Sequence, residues 1–292
     1  MGAVRRAGVT GANGYVGSVL ARSLSVAGWQ VVKLVRLPAA PRDGRSAGPD
    51  EQRHYDLREE PSAHLLEGLD AVVLCAWDMS LTRREDVWNV NVEGTNALAE
   101  LAGGAGVRTV LVSSMSAYEG TRQHYGIAKL ACERVVLSKG GAVVRPGLVY
   151  GPGAGGMVGR LKRLARLPVV PLVGASSKLF TVHEDDLGDG LVAVLSATGA
   201  PRGPLGLAHD RAVTLENVVL ACLAGTARPP WVIRLPWRLG YVALKSGEAL
   251  GLPLPFRSDS ILSFVDLPPS PPNQGFLASC GVKVRPFAGT IS

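Results

Sequence analysis

The feature that most constrains this chain is a glycine-rich turn near its N-terminus, between an apolar run and an amphipathic one. Residues 9–17 read Val-Thr-Gly-Ala-Asn-Gly-Tyr-Val-Gly; we predict a strand over 7–9 and a helix over 17–27. In such a unit the glycines permit a tight turn, a close approach to a pyrophosphate and close helix packing. Backbone N–H groups and the helix dipole then attract phosphates. The turn therefore predicts a dinucleotide site lined by Gly11, Asn13, Gly14, Tyr15, Val16 and Gly17.

Apolar runs and helix-like segments alternate as far as about residue 150. Further strands are predicted over 31–35, 71–76, 109–113 and 142–145, with helices over 87–102 and 125–137. Alternation of this kind is typical of parallel strands joined by right-handed helical crossovers. The expected fold class is α/β, a three-layer Rossmann fold with a parallel sheet.

The regular pattern ends near residue 152, where proline and glycine become frequent. A strand near 180–182 and a helix near 186–196 are expected to return to the first domain. We therefore predict that residues 1–152 and about 178–200 form the dinucleotide-binding Rossmann domain. Residues 153–177 and 201–292 are expected to form a small C-terminal substrate-binding domain.

The end of the second predicted strand bears on the choice of cofactor. NAD enzymes commonly place an acidic residue there to bond the ribose hydroxyls, whereas this chain has Val35 and Arg36. Because an arginine pairs well with a 2′-phosphate, NADP(H) is preferred. NAD(H) is the alternative, with Arg36 merely at the surface and Asp43 reaching the ribose. Asp56, followed by Leu57, is expected either to accept a hydrogen bond from the adenine amino group or to form a turn.

Tyr125 and Lys129 are spaced to lie on one face of a predicted helix. A nearby ammonium favours a phenolate, so we expect Lys129 to lower the pKa of Tyr125 and make it an acid or base for a reacting oxygen. The same spacing also occurs in solvated helix pairs. Ser114 follows a predicted strand, where a hydroxyl can stabilise developing charge on a substrate oxygen or simply cap a loop.

Taken together, these segments resemble the extended and atypical short-chain dehydrogenase/reductases, and among them the NAD-dependent epimerase/dehydratase family. The resemblance covers about residues 7–190 and rests on six segments. They are Thr-Gly-x-x-Gly-x-x-Gly from Thr10, Ser-Ser-x-x-x-Tyr from Ser113, Tyr-x-x-x-Lys from Tyr125, and the stretches 91–95, 145–152 and 182–186.

The resemblance implies a role for each matching residue. It makes Tyr125 the proton donor or acceptor, Lys129 the group that lowers its pKa and bonds the nicotinamide ribose, and Ser114 the orienting hydroxyl. It further places Ala76, Pro146 and Val149 beside the cofactor. This chain departs from the family in the short segment between Tyr118 and Tyr125 and in Trp77, which either covers the cofactor, narrows the pocket or packs under the second domain.

Three functions follow as alternatives. The first is an NAD(P)-dependent oxidoreductase, most simply one that uses NADPH to reduce a carbonyl on a small molecule, or that oxidises an alcohol. The second is a nucleotide-sugar epimerase or dehydratase, which oxidises and re-reduces its cofactor in one turnover. The third is a non-catalytic NADP-binding sensor or scaffold. Arg36 and the short segment before Tyr125 favour the first.

Composition narrows the expected partners. The net charge is +7, but the basic residues are scattered and aromatics are few, so no nucleic acid is expected. No run reaches the ~18 apolar residues of a membrane span, so no stable membrane insertion is expected. Four widely spaced cysteines predict no metal site and a cytoplasmic location. Family resemblance implies a possible homodimer. Residues 160–166, a basic helix, are interpreted as a solvated face, a phosphate clamp or a membrane-surface contact.

Overall fold

A seven-stranded parallel sheet forms the centre of the molecule. The computed structural model describes residues 4–36, 51–153, 155–164, 167–199, 201, 203–224, 230–250, 252, 258, 268 and 270–288. The sheet strands are β1 Arg6–Thr10, β2 Gln30–Val35, β3 Glu51–His54, β4 Ala71–Leu74, β5 Arg108–Val112, β6 Ala142–Pro146 and β11 Leu205–Leu207. Their order across the sheet is β11-β6-β5-β4-β1-β2-β3. All the pairings in this sheet are parallel, which confirms the predicted Rossmann-type α/β class.

Helices cover both faces of the sheet, so the fold has three layers. One face packs against α1 (Tyr15–Val26) and α6 (Glu184–Ser196), and the other against α3 (Glu93–Gly104) and α4 (His124–Ser138). The packing of strand β4 on both of its faces explains why its sequence is apolar throughout. Ala71 and Val73 enter the first core, and Val72 and Leu74 enter the second. A strand covered on both faces has no solvent side on which a polar residue is favoured.

The helix predicted over 87–102 begins irregularly. A short α2 (Arg84–Asp86) continues through a π-helical segment, Val87–Val92, before α3 starts. Single π-helical turns are frequent at functional sites. Here the segment contains Asn91, which is buried and exchanges hydrogen bonds with the backbone of Asp78. The irregular turn thereby fixes the loop that follows β4.

The C-terminal part of the chain returns to the central sheet. Strand β11 pairs with β6, and a short helix, Gln274–Ser279, packs beside it with Leu277 in the first core. The boundary predicted at residue 201 would place β11 in the substrate-binding domain, whereas β11 pairs with β6 and completes the Rossmann sheet. The sequence Leu-Gly-Leu is too short to show a strand period, so its sheet partner could not be read from it.

A smaller lobe is built around α5 (Gly156–Leu164), α7 (Leu215–Leu223) and α8 (Trp237–Ala249). Its short strands are β8 Val169–Val173, β9 Lys178–Leu179, β12 Val213–Thr214 and β13 Trp231–Leu235. Strand β8 pairs with β13 in parallel, and β9 pairs with β12 antiparallel. Two linking strands, β7 Leu148–Tyr150 and β10 Thr181–His183, pair with each other beside the main sheet. Val158, Leu161, Leu172 and Val218 form the centre of this lobe's own core.

Candidate active site

The glycine-rich turn lies at the carboxyl end of β1 and leads directly into α1. Gly11 adopts φ 64°, and a Cβ there would lie 2.9 Å from the Cα of Ala76. A Cβ on Gly17 would lie 2.2 Å from the Gly11 carbonyl oxygen. Both positions therefore require glycine for conformation or for space. Thr10 holds the neighbouring strand in place, since its Oγ1 accepts hydrogen bonds from the N–H groups of Cys75 and Ala76.

One cleft of about 1080 Å³ runs along this edge of the sheet. It lies at the carboxyl ends of parallel strands, where ligands of open α/β sheets bind. The cleft brings together all the residues that the sequence analysis assigned to the site. They are Gly11, Asn13, Gly14, Tyr15, Val16, Gly17, Arg36, Asp56, Leu57, Ala76, Ser114, Tyr125, Lys129, Pro146 and Val149.

Tyr125 occupies the first turn of α4 and faces Ser114 across the cleft. The hydroxyl groups of these two residues are hydrogen-bonded. The Tyr125 ring meets the indole of Trp77 edge-on, with centroids 5.5 Å apart and planes at 81°. Edge-to-face packing of this kind fixes the orientation of a ring. Trp77 thus contacts the tyrosine directly, which narrows the cleft beside the phenol.

Lys129 is buried one helical turn beyond Tyr125. Its Nζ donates a hydrogen bond to the Val112 carbonyl at 3.0 Å and lies 3.9 Å from the centroid of the Trp77 ring. Its distance from the Tyr125 ring centroid is 5.9 Å. Loss of hydration lowers the pKa of the Lys129 ammonium, and the nearby carboxylate of Glu133 acts in the opposite direction.

The pKa of Tyr125 corrects one expectation from the sequence. Burial raises it, and the hydrogen bond from Ser114 only partly opposes that rise. We expected Lys129 to lower this pKa, but its ammonium is bonded to the Val112 carbonyl and lies over the Trp77 indole. Desolvation therefore dominates, and the phenol is neutral over a wide pH range.

A buried ion pair supports this part of α4 from behind. The carboxylate of Glu133 accepts hydrogen bonds from Arg145 Nε at 2.9 Å and Nη2 at 2.6 Å. Ser113 donates a third, from the residue next to Ser114. Glu133 lies one turn beyond Lys129, and its side chain is 3% exposed. The network connects α4 to the ends of β5 and β6, so it fixes the spacing between the serine and the tyrosine.

Two arginines lie at the opposite end of the cleft, where β2 and β3 end. Arg58 Nη2 lies 2.7 Å from a carboxylate oxygen of Asp78, and Arg36 Nη1 lies 3.7 Å from the same atom. Asp56 accepts from the backbone N–H and, at 3.4 Å, the guanidinium of Arg58. Hydrogen bonds from Ser80 and Arg58 lower the pKa of Asp78 to about 2. Asp43 lies outside the described residues.

Tyr15 connects the glycine-rich turn to a second loop of the cleft. Its hydroxyl donates to a carboxylate oxygen of Glu184 at 2.8 Å, and the other oxygen accepts weakly from the Gly153 N–H at 3.4 Å. Gly155 packs against the Tyr15 side chain so closely that a Cβ would lie 2.7 Å from the Tyr15 Cβ and 2.8 Å from the ring carbon Cγ. The turn and the loop around residue 155 are therefore held together by one buried carboxylate.

Apolar side chains also line the cleft. They include Met79, Leu81, Met115, Met157, Leu179 and Phe180. Of the described cations lining the cleft, Arg36 and Arg58 lie at the far end and Lys129 is buried, which leaves Arg84. Arg160, Lys162 and Arg163 of α5 are not among the lining residues; Arg166 lies outside the described part of the chain.

Three residues of the site were not predicted from the sequence: Arg58, Asp78 and Glu133. Arg58 directly follows the Asp56-Leu57 pair, so a basic residue in that position was the available signal. Asp78 and Glu133 carried no such signal, because their partners are distant along the chain.

Within the described ranges, no group of three or more His, Cys, Asp or Glu residues is arranged to hold a metal ion. No helix in those ranges is long and apolar enough to cross a membrane.

Comparison with known proteins agrees with this geometry. The model of the NAD dependent epimerase/dehydratase family matches residues 7–203. A ceramide reductase of Caulobacter vibrioides is 33% identical over 197 residues, which are 63% of this chain and 59% of that protein. A UDP-glucose 4-epimerase of Streptomyces lividans is 34% identical over 156 residues, 46% of this chain and 47% of that protein. The chain thus matches about half the length of these curated relatives.

Solved structures share the fold over nearly the whole chain. MoeE5 in complex with UDP-glucuronic acid and NAD superposes with a TM-score of 0.74 at 23% identity, covering 98% of this chain and 96% of that one. The UDP-glucose 4-epimerase of Thermus thermophilus in complex with NAD gives a TM-score of 0.73 at 19% identity, with the same coverage. At these identities the likeness concerns the fold alone.

Proposed function

Because this chain belongs to the NAD dependent epimerase/dehydratase family, we propose that it is an NADPH-dependent reductase of a carbonyl group on a small, largely apolar molecule. The observation that carries the proposal is the Tyr125–Ser114 hydrogen bond in the same cleft as the glycine-rich turn. A hydroxyl pair can hold a carbonyl oxygen and supply its proton. The similarity to a ceramide reductase supports reduction of a compound with apolar chains.

The residues of the cleft suit a bound dinucleotide. The close approach of Gly11 to Ala76 and the uncapped start of α1 leave backbone N–H groups for a pyrophosphate. When bound, the nicotinamide supplies the hydride. Ser114 then orients the carbonyl oxygen, and Tyr125 donates its proton to that oxygen. Lys129 is assigned no part in the proton transfer. It is proposed to bind the nicotinamide ribose and to anchor helix α4 through its hydrogen bond to the Val112 carbonyl.

The preference for NADP(H) rests on Arg36 and Arg58. Both guanidinium groups approach Asp78 at the rim of the cleft, so both are in reach of one anionic group there. A 2′-phosphate carries more charge than a carboxylate and accepts several hydrogen bonds from arginine. We therefore propose that the phosphate takes over these contacts from Asp78. The position of Asp56 beside Arg58 is compatible with its proposed contact to adenine.

Cofactor choice is tested by thermal unfolding. At equal concentration, NADPH is expected to raise the melting temperature more than NADH does. Arg36→Ala and Arg58→Ala should each weaken NADPH binding about 10-fold, because each removes one charge-assisted contact to the 2′-phosphate. Both substitutions should leave NADH binding nearly unchanged. Arg134→Ala, which removes an exposed arginine from α4, is the matched control. A clear NADH preference, or protein that purifies with one NAD per chain, would favour the nucleotide-sugar epimerase or dehydratase instead.

The dependence of rate on pH tests the direction of proton transfer. Since burial raises the pKa of Tyr125, the phenol keeps its proton at neutral pH and acts as an acid. Carbonyl reduction is expected to stay constant as pH rises and to fall only above about pH 10, the ordinary range of tyrosine. Oxidation of the alcohol should rise over the same range. A reduction rate that declines near pH 7 would contradict a raised pKa.

A further inference from the structure

The smaller lobe exposes an apolar face on the ribbon formed by β8 and β13. These strands pair in parallel with Trp231 opposite Val169 and Ile233 opposite Pro171, and paired residues share one face. Trp231 is 80% exposed, Ile233 51% and Val169 42%. Of the alternate residues, Val170 and Leu172 of β8 are buried in the lobe, whereas Arg234 of β13 is exposed and pairs with Glu216. The solvent-exposed face of the ribbon is therefore as apolar as a face that packs in a protein core.

Helix α8 extends this face. Gly240 packs against the side chain of Val173, which faces the same way as Val169. On the other side of the helix, Leu239 is 64% exposed and Val242 60%, and Leu250 just after it is 76% exposed. Their spacing of three and eight residues places them on one stripe of a helix. The ribbon and the helix together form what we call the apolar face: Val169, Pro171, Trp231, Ile233, Leu239, Val242 and Leu250.

The charges beside the apolar face are positive. Arg238 and Lys245 are exposed and lie seven residues apart on α8, two turns along the helix. Glu248 is the one acidic residue in 231–250, and its carboxylate is half-buried and accepts hydrogen bonds from Ser258. On α5, in the same lobe, Arg160 and Arg163 are exposed as well. A partner of this face must therefore be apolar at its centre and negative at its border.

We propose that the apolar face docks onto a membrane leaflet that contains anionic lipids. A basic amphipathic helix lies in the plane of such a surface, with its apolar side among the acyl chains. An exposed tryptophan at the edge of the face has the place that tryptophans take at membrane interfaces. A symmetric pairing of two copies is disfavoured, because it would bring the positive groups of both chains together without an acidic partner.

Docking also fits the lining of the cleft. The lobe that carries the apolar face supplies the apolar side chains of Met157 and Leu179 to that lining. A substrate with acyl chains could thus be taken from the bilayer by a protein held at its surface. The docking inference itself depends on the exposed side chains and charges alone, so it stands independently of the proposed reductase activity.

Flotation of the full chain with lipid vesicles tests the proposal. Binding is expected to vesicles of phosphatidylcholine with phosphatidylglycerol, and much less to phosphatidylcholine alone. Leu239→Glu and Val242→Glu should each weaken binding about 10-fold or more, since each places a charge among acyl chains. Val26→Glu is the matched control, because Val26 is 85% exposed at the end of α1 and lies outside the face. Lys245→Glu should weaken binding to the anionic vesicles only, with Arg134→Glu as its control.

Three results would overturn the docking surface. They are no binding to either vesicle, equal losses in Val26→Glu and Leu239→Glu, or a dimer in solution that Leu239→Glu dissociates while vesicles remain unbound. An unchanged melting temperature in the absence of cofactor shows that each variant is folded, whatever its melting-temperature shift with NADPH. The same shift separates the two proposals, since a protein can bind vesicles without the cofactor and the cofactor without vesicles.

Discussion

Tyr125→Phe is expected to lower the rate of carbonyl reduction by about 10²- to 10⁴-fold, the contribution typical of a positioned acid. The substitution removes one hydroxyl, its hydrogen bond to Ser114 and the only proton that the proposal assigns to the substrate oxygen. The ring remains packed against Trp77, so the wall of the cleft keeps its shape. Turnover is measured as NADPH consumption with long-chain ketones and aldehydes, using a compound that the unaltered protein reduces.

A matched control separates chemistry from folding. Tyr241→Phe removes a tyrosine hydroxyl from α8, where it bonds Lys245 and does not line the cleft. This variant should keep its full rate, and both variants should show the same melting-temperature shift with NADPH. If Tyr125→Phe turned over as fast as Tyr241→Phe, the tyrosine would have no part in the reaction.

Glu133→Ala is expected to lower the free energy of unfolding by about 3–5 kcal/mol, because it leaves Arg145, whose side chain is only 13% exposed, without its partner. Arg145 bonds both carboxylate oxygens, and Ser113 donates to one of them. Urea denaturation measures the change. Glu100→Ala, which removes an exposed carboxylate from α3, should change the unfolding free energy by less than about 0.5 kcal/mol.

The same pair of variants tests the support of the active site. Glu133 joins α4 to Ser113, which directly follows β5, and to Arg145 of β6, so its loss should also disturb the Tyr125–Ser114 contact. We expect the part of the protein that stays folded to reduce its substrate more slowly. A Glu133→Ala protein as stable as Glu100→Ala would contradict a structural role for the buried pair.

Local patterns in the sequence predicted most of the Rossmann core. The turn at Gly11 and the helix that follows it depend on neighbouring residues, so spacing and residue type were sufficient. The helix carrying Tyr125 and Lys129, expected over 125–137, spans His124–Ser138. Each of these three features spans fewer than twenty consecutive residues. Short-range signals therefore determined the elements and the residues gathered at the cleft.

Long-range contacts could not be predicted in the same way. The pKa of Tyr125 depends on how Trp77 and the surrounding chain remove water from the phenol, and spacing from Lys129 gave the opposite direction. Arg58 meets Asp78 across 20 residues, and Tyr15 meets Glu184 across 169. Strand β11 has too few residues for a periodic pattern. In each case the partner is fixed by the tertiary fold.

The late position of β11 in the chain has a consequence for synthesis on the ribosome. Its edge of the sheet stays unpaired until residue 207 has emerged, and the helix covering it includes Leu277. A nascent chain of two hundred residues therefore presents the open edge of β6, a template for pairing with other chains. Completion of the nucleotide-binding half must wait until the helix that contains Leu277 has been made, which gives chaperones a defined interval in which to act.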